Sequence, residues 1–199
     1  MDAGGGGILT PIEVKAKWTL PLQTTQFRAG KRPCKLIPAR LASPRCFPFV
    51  LLRSMMSVCR ELATFERALD LCSISEAELV RDGFGPTPKF RALIAQWDEQ
   101  PAGYALFFNY YSTWAGRGLF LEDLFVRQEF RRRGIGKALL ASVARIALQD
   151  NCYGVHWEVL DWNEKAIEMY KALGAEFRDQ WRPVQLTHDA LRRLAEKAL

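Results

Sequence analysis

The chain predicts an α/β fold built on one mixed sheet, and three features of its patterning predict it. Apolar residues recur at three- and four-residue spacing over Leu52–Phe65 and again over Ile135–Leu148; apolar, aromatic-rich runs of strand length lie between them; and one more strand and helix follow. The first helix follows Pro48, with Leu52, Met55, Met56, Cys59, Leu62, Ala63 and Phe65 on its apolar stripe. Ser75-Glu76-Ala77-Glu78 fits a capping box that opens a second helix, and Gly83-Phe84-Gly85-Pro86 ends it. Phe90–Trp97 and Gly103–Tyr111, separated by Asp98-Glu99-Gln100-Pro101, read as strand, turn and strand, and Leu119–Val126 as a third strand after the turn Gly116-Arg117-Gly118. A helix over Ile135–Leu148 presents Leu139, Leu140, Val143, Ile146 and Ala147 on one side. Val155–Leu160 reads as a strand, Asn163–Leu173 as a helix stopped by Gly174, and Thr187 as the cap of a last helix.

At 199 residues, with 49% hydrophobic and 25% charged side chains, the chain is long enough for one domain with a tail, and the composition argues against disorder and collagen-like repeats. No apolar run approaches the ~18 residues needed to span a bilayer, and the opening Met1-Asp2-Ala3 before Gly4–Gly7 lacks the pattern of a secretory signal. A cytoplasmic protein with no membrane partner is expected. Five cysteines without a CxxC pair suit a reducing compartment, and two histidines exclude most zinc hydrolases. The net charge of +6 comes from residues 1–50, which hold eight basic and two acidic groups; residues 51–199 balance at 20 against 20. With six prolines and no apolar period, residues 1–50 read as a loosely ordered basic extension, of the kind a start assigned too far upstream would produce, and 51–199 as the domain. No nucleic-acid partner is expected for that domain.

The most informative segment runs from Leu121-Glu122-Asp123-Leu124-Phe125-Val126 through Arg131-Arg132-Arg133-Gly134-Ile135-Gly136-Lys137. A strand enters a turn of arginines and glycines that opens a helix, a pattern whose free amides and missing Cβ atoms favour an anion such as a pyrophosphate. It is neither a Walker loop, since Arg131 and Ala138 stand where Gly and Ser or Thr are required, nor a dinucleotide fingerprint, since Leu139 replaces the third glycine. Taken alone it could equally be a basic turn capping a helix.

Arg131-x-x-Gly134-x-Gly136 after Glu-Asp-Leu-Phe-Val resembles the acetyl-CoA pyrophosphate loop of the GCN5-related N-acetyltransferase (GNAT) superfamily. Leu160-Asp161-Trp162-Asn163, Glu164–Ile167 and Met169–Ala175 resemble the second half of its cofactor site. Tyr111-Ser112-Thr113-Trp114 and Leu121-Glu122-Asp123 are similar to the diamine acetyltransferases, including the thialysine N-epsilon-acetyltransferase branch. The resemblance covers about residues 55–185. It implies a mixed, mostly antiparallel central sheet flanked by helices, acetyl-CoA as acyl donor without a metal, a small-molecule amine as acceptor, and a homodimer. It further implies that backbone groups of Leu124, Phe125 and Val126 hold the pantetheine arm and that Arg131, Arg132, Arg133, Gly134, Ile135, Gly136 and Lys137 form the pyrophosphate cradle. Asn163, Glu164, Lys165 and Ala166 would line the far side of the cofactor, and Tyr170 would face its sulfur.

Direct acetyl transfer needs a neutral amine, a place for the oxyanion and a proton for the departing thiolate. Tyr170, protonated at neutral pH, can supply the last, although Ile167, Tyr170 and Leu173 share a helix face and a packed tyrosine is the alternative. Glu122 and Asp123 are expected to leave opposite faces of their strand, so Glu122 is assigned to the amine site and Asp123 to a structural or solvent-facing role. Phe65 and Glu66 resemble the family's aromatic-acidic pair near the acceptor, Trp114 could wall its pocket, and His156, Trp157 and Glu158 are grouped with them. His156-x-Glu158 is no deaminase zinc motif, because the cysteines that motif requires are missing. The absence of an acid in Tyr111–Trp114 points to a thialysine- or lysine-like amino acid or a short diamine. The rivals are a non-catalytic acetyl-CoA-binding protein of the same fold and an acetyltransferase of a protein amine. The family's opening Ile-Arg-Pro-Ala strand has its nearest echo in Lys35–Arg40, followed by Pro44 and Pro48, which block an immediate helix.

Overall fold

The computed structural model describes residues 24–29, 32–38 and 49–197, in two compact units that meet in sequence at Glu158 and Val159. In the first unit, β1 (Thr25–Ala29), β2 (Arg32–Pro38), β3 (Arg91–Trp97), β4 (Gln100–Ser112), β5 (Gly116–Val126) and β6 (Val155–His156) form one sheet in chain order. Every neighbouring pair is antiparallel except β5 and β6, which are parallel. The helices of this unit are α1 (Phe49–Phe65), α2 (Glu76–Phe84) and α3 (Ile135–Gln149).

The elements expected from periodicity are present, with two departures. The sheet reaches back into the stretch read as an extension: β2 pairs with β3, Cys34 opposite Trp97 and Ile37 opposite Ile94, so the echo of the opening strand is part of the sheet and Pro38 is its last residue. The strand expected over 155–160 stops after two residues. Residues 1–23, 30–31 and 39–48 lie outside the described residues, and with them most of the expected extension.

Two cores sandwich the sheet. Met55, Met56, Val58 and Leu62 of α1 and Leu79 of α2 pack with Ala92, Tyr104 and Phe125 from β3, β4 and β5. On the other face α3 buries Leu139, Leu140, Val143, Ile146 and Ala147 against the sheet. The capping box of α2 forms as its sequence requires: Glu78 N–H donates to Ser75 Oγ (3.2 Å) and Ser75 N–H to Glu78 Oε2 (2.9 Å). Asp98 and Glu99 both adopt positive φ, the left-handed pair a tight hairpin needs. Where β5 leaves the sheet, the Arg127 guanidinium clamps it to α1: Nε and Nη2 donate to the two Glu61 oxygens (3.1 and 2.8 Å), and Nη1 donates to the Pro101 carbonyl (3.0 Å).

β5 carries a bulge. Leu106 faces Asp123 and Phe107 faces Leu121, which leaves Glu122 as the extra residue. Before the bulge, Leu119 and Leu121 pair on the α3 side of the sheet; after it, Asp123 and Phe125 pair on the α1 side. A strict period of two would have kept all four on one face.

The second unit holds α4 (Glu164–Ala172) and α5 (His188–Lys197). The Asn163 carbonyl accepts from Ala166 and Ile167 as α4 starts, and Gly174, at φ +83°, lets the chain leave it. Leu191 and Leu194 of α5 are exposed, as are Trp181, Val184 and Leu186 before it.

Gly103 of β4 lies against β5 just past the bulge, and a Cβ there would sit 2.4 Å from the Phe125 carbonyl oxygen, a backbone atom held by the ladder. Gly103→Ala is therefore expected to cost about 1–3 kcal/mol, measured by urea unfolding, with the far-UV circular dichroism of the folded state unchanged.

Candidate active site

β6 pairs with β5 only at Leu119↔Val155 and Phe120↔His156. From Leu121 onward β5 pairs, among the described residues, with β4 alone, so at Leu124 and at the Val126 amide, either side of Phe125, the opposite edge keeps backbone groups for something other than a strand. That edge leads through a short 3₁₀ turn (Gln128–Phe130) into Arg131–Gly134 and then α3.

The loop is shaped by its backbone. Gly134 is the N-cap of α3 at φ +79°, with no side-chain cap, and the first helical bond is donated by Ala138 to the Gly134 carbonyl. The amides of Ile135, Gly136 and Lys137 therefore have no partner within the helix. Arg132 is also left-handed, at φ +61°, so two such residues bracket Arg133, an alternation of the kind from which anion-binding backbone concavities are built. A Cβ at Gly136 would meet only Val126 Cγ2 at 3.6 Å, so close packing is not what requires a glycine there.

The arginine side chains are arranged differently from a simple phosphate clamp. Arg131 Nε donates to the Val126 carbonyl (2.8 Å), and its guanidinium lies 4.9 Å from the Phe65 ring centre and 5.5 Å from that of Phe125. Arg133 donates to the Glu129 carbonyl (3.0 Å) and stacks on Trp97 at 4.7 Å. These contacts leave anion binding in the loop chiefly to backbone amides.

Beside the same strand a group of acids converges. Burial raises the Asp123 carboxyl to about 6, with the charges of Glu122 and Glu66 adding to the shift and a hydrogen bond from the Tyr104 hydroxyl (2.8 Å) opposing it. Burial and then the charge of Glu158 raise Glu122, and burial and then Glu122 raise Glu66. Glu66, Glu122 and Glu158, all expected at the acceptor site, are thus within electrostatic reach of one another. Asp123, expected to be structural, joins them because the bulge breaks the alternation that would have sent it away from Glu122. Phe65 stands over Phe125 with ring centres 6.4 Å apart. Among the described residues, no three His, Cys, Asp or Glu side chains are placed to hold a metal ion.

Other expected residues lie elsewhere. Trp114 is 86% exposed at the turn between β4 and β5, about 20 Å along the strand from Glu122 at ~3.3 Å per residue. His156 packs edge-on against Tyr110 and Tyr153, with ring centres 5.0 and 5.5 Å away. Trp157 is half-buried next to it in sequence. In the second unit, Tyr170 is 6% exposed and burial raises its phenol above the ordinary value; Asn163 and Ala166 are half-buried, while Glu164 and Lys165 are exposed. Sequence reasoning missed Tyr104 and the neighbouring Cys59, whose thiol is raised to about 12, first by burial. The signal available was Asp123 itself, because a carboxylate in an apolar strand requires a partner.

The model of the acetyltransferase (GNAT) family matches residues 56–175. Thialysine N-epsilon-acetyltransferase of Bos taurus is 39% identical over 155 residues, covering 72% of this chain and 91% of the relative. L-ornithine N5-acetyltransferase of Arabidopsis thaliana is 46% identical over 91 residues, 45% of this chain and 40% of that one. An aminoglycoside N-acetyltransferase solved in complex with CoA shares the fold, with a TM-score of 0.58 at 18% identity, covering 85% of this chain and 99% of that one.

Because the charge of Glu122 holds Asp123 up, Glu122→Gln should let the Asp123 carboxyl titrate at lower pH than about 6. A carboxyl ¹³C titration of the two proteins reads this directly, and an unchanged Asp123 midpoint would contradict the coupling.

Proposed function

The chain belongs to the acetyltransferase (GNAT) family and is an acetyl-CoA-dependent N-acetyltransferase; from that premise we propose that it transfers acetyl to a primary amine of a thialysine- or lysine-like amino acid or a short diamine, as a cytoplasmic homodimer without a metal. The observation that carries the reading is the free edge of β5, which runs from the carboxylates at one end to the uncapped amides of α3 at the other. The names of relatives that act on thialysine and on ornithine, both amino acids with a side-chain amine, support the same acceptor class.

The coenzyme supplies an activated acyl thioester. Everything else falls to the chain. Along the segment Leu124, Phe125 and Val126, the outward groups of Leu124 and the Val126 amide accept and donate like an added strand to its amide-containing arm, and the amides of Arg132–Lys137 take its pyrophosphate. Arg131 and Arg133 hold that loop in shape through their carbonyl and ring contacts while adding positive charge. Asn163, Glu164, Lys165 and Ala166 are assigned to the far side of the coenzyme.

At the acceptor, Glu122 takes the proton from the incoming ammonium, directly or through a water. Its raised carboxyl brings its affinity for a proton closer to that of a base working near neutrality. Glu66, Asp123 and Glu158 hold the remaining positive charge of the substrate, and Phe65 closes the wall beside them. Tyr170 is assigned to return a proton to the leaving thiolate; a buried phenol, raised further above its ordinary value, remains protonated across the working range. Trp114, distant from its own acids along β5, offers its exposed ring to the second copy.

Thiol release from acetyl-CoA across thialysine, lysine, ornithine, short diamines and spermidine tests the acceptor, with turnover expected for the amino acids and short diamines and undiminished by chelators. Tyr170→Phe should lower kcat at least tenfold, the order for loss of an acid catalyst; equal turnover would leave Tyr170 as packing. Light scattering during gel filtration should give twice 22.7 kDa.

A further inference from the structure

We propose that the Tyr104 hydroxyl is a positioning group for the acetyl acceptor, which by donating to Asp123 Oδ2 fixes that carboxylate as an anionic contact beside Glu122. The inference rests on the acceptor reading above and assigns a role to a residue outside it.

Tyr104 is 1% exposed and its ring is part of the core between the sheet and α1, so its hydroxyl must find its partners inside the protein. In the ladder Tyr104 faces Phe125 and Leu106 faces Asp123, which makes Asp123 the diagonal neighbour of Tyr104 on the same side of the sheet. The phenol spans that diagonal and meets Oδ2 at 2.8 Å. A phenol has one proton, so its lone pairs remain for a donor behind it. Cys59 of α1 packs against the same core cluster and is a neighbour of the Tyr104 hydroxyl on that side.

The groups that act on Asp123 are Glu122 on its own strand, Glu66 just past the end of α1, and Tyr104 from β4. The two glutamates favour the protonated form of Asp123 and would neutralise it. Tyr104 alone of the three favours the carboxylate. An acceptor ammonium binds the carboxylate, not the neutral acid, so the hydroxyl decides how much of Asp123 is ready at neutral pH. Packing alone would ask for phenylalanine here.

The test compares wild type with Tyr104→Phe, which keeps the ring, and with Asp123→Asn. Tyr104→Phe should raise the acceptor KM about tenfold and leave the acetyl-CoA KM unchanged. It should move the acidic limb of the kcat/KM profile, and the Asp123 carboxyl ¹³C midpoint, upward by about one to two pH units, the equivalent of one hydrogen bond to a charged group. Asp123→Asn should give the same acceptor defect, and the double variant should be no worse than Asp123→Asn alone. A folded Tyr104→Phe with unmoved midpoint and acceptor KM overturns the proposal, as do additive losses in the double variant or an Asp123→Asn protein with a normal acceptor KM. A wild-type protein that acetylates none of the amines overturns the acceptor reading itself, before any variant is compared.

Discussion

The single extra residue at Glu122 sets what β5 can do. An unbroken strand would carry Leu119, Leu121, Asp123 and Phe125 on one face, and the sheet would have to bury a carboxylate among the leucines that face α3. The bulge reverses the parity between Leu121 and Asp123. Leucines stay under α3, Phe125 enters the core beneath α1, and Asp123 emerges where Glu66 and Glu122 already stand. Bulges also bend the strand that carries them and sharpen its twist. Here β5 parts from β6 after Phe120, two residues before the bulge, so the change of face and the free edge coincide. Acid cluster and backbone edge are thus products of one local irregularity.

The positive charge of the loop has a related logic. Consecutive arginines before a helix suggest side chains gripping phosphate, yet Arg131 and Arg133 are engaged with carbonyls and aromatic rings within 5 Å. A guanidinium over a ring keeps its charge, so the loop remains electropositive while its shape is fixed. Arg131 reaches Phe65 at the end of α1 and Phe125 of β5, which ties the anion loop mechanically to the wall of the acid site. Arg127 makes a second tie from the same end of β5 to Glu61 of α1. Donor-side and acceptor-side elements of this unit are consequently held in one frame by arginines that need touch neither substrate.

Much of this was legible in the sequence because helices and capping motifs are local. The Ser75–Glu78 box, the stripe of α1 and the glycine opening of α3 each depend on residues a few positions apart, and each forms where expected. Glu66, Glu122 and Glu158 were grouped through the resemblance to the family, and the structure brings them within electrostatic reach of one another. What was not legible depends on pairing between distant segments. A bulge exists only relative to the partner strand, so a period that holds only within one strand sends Asp123 to the opposite side from Glu122, whereas the two act on each other in the structure. Strand β6 was overestimated at 155–160, since apolar content cannot tell where a parallel edge ceases to pair. The stretch around β2 was read as tail because its prolines and basic residues outweigh a short apolar alternation, and only β3 beside it makes it a strand.

The acid group also constrains the acceptor on electrostatic grounds. A carboxylate that stabilises an ammonium makes that nitrogen harder to deprotonate, and an amine must lose its proton before it attacks an acyl carbon. Four acids gathered around a single reacting nitrogen would work against the reaction. The conflict disappears if the substrate carries a second cation that never reacts: the acids nearest it bind charge throughout, and one carboxylate with a raised proton affinity serves the nitrogen that must become neutral. Glu122, the extra residue of the bulge, partly desolvated there and held up further by the charge of Glu158, suits the second duty. Asp123, donor-stabilised by Tyr104 and set deeper in the strand, suits the first. Under the proposed function, a mutually repelling set of carboxylates would be relieved most by a ligand with more than one positive charge.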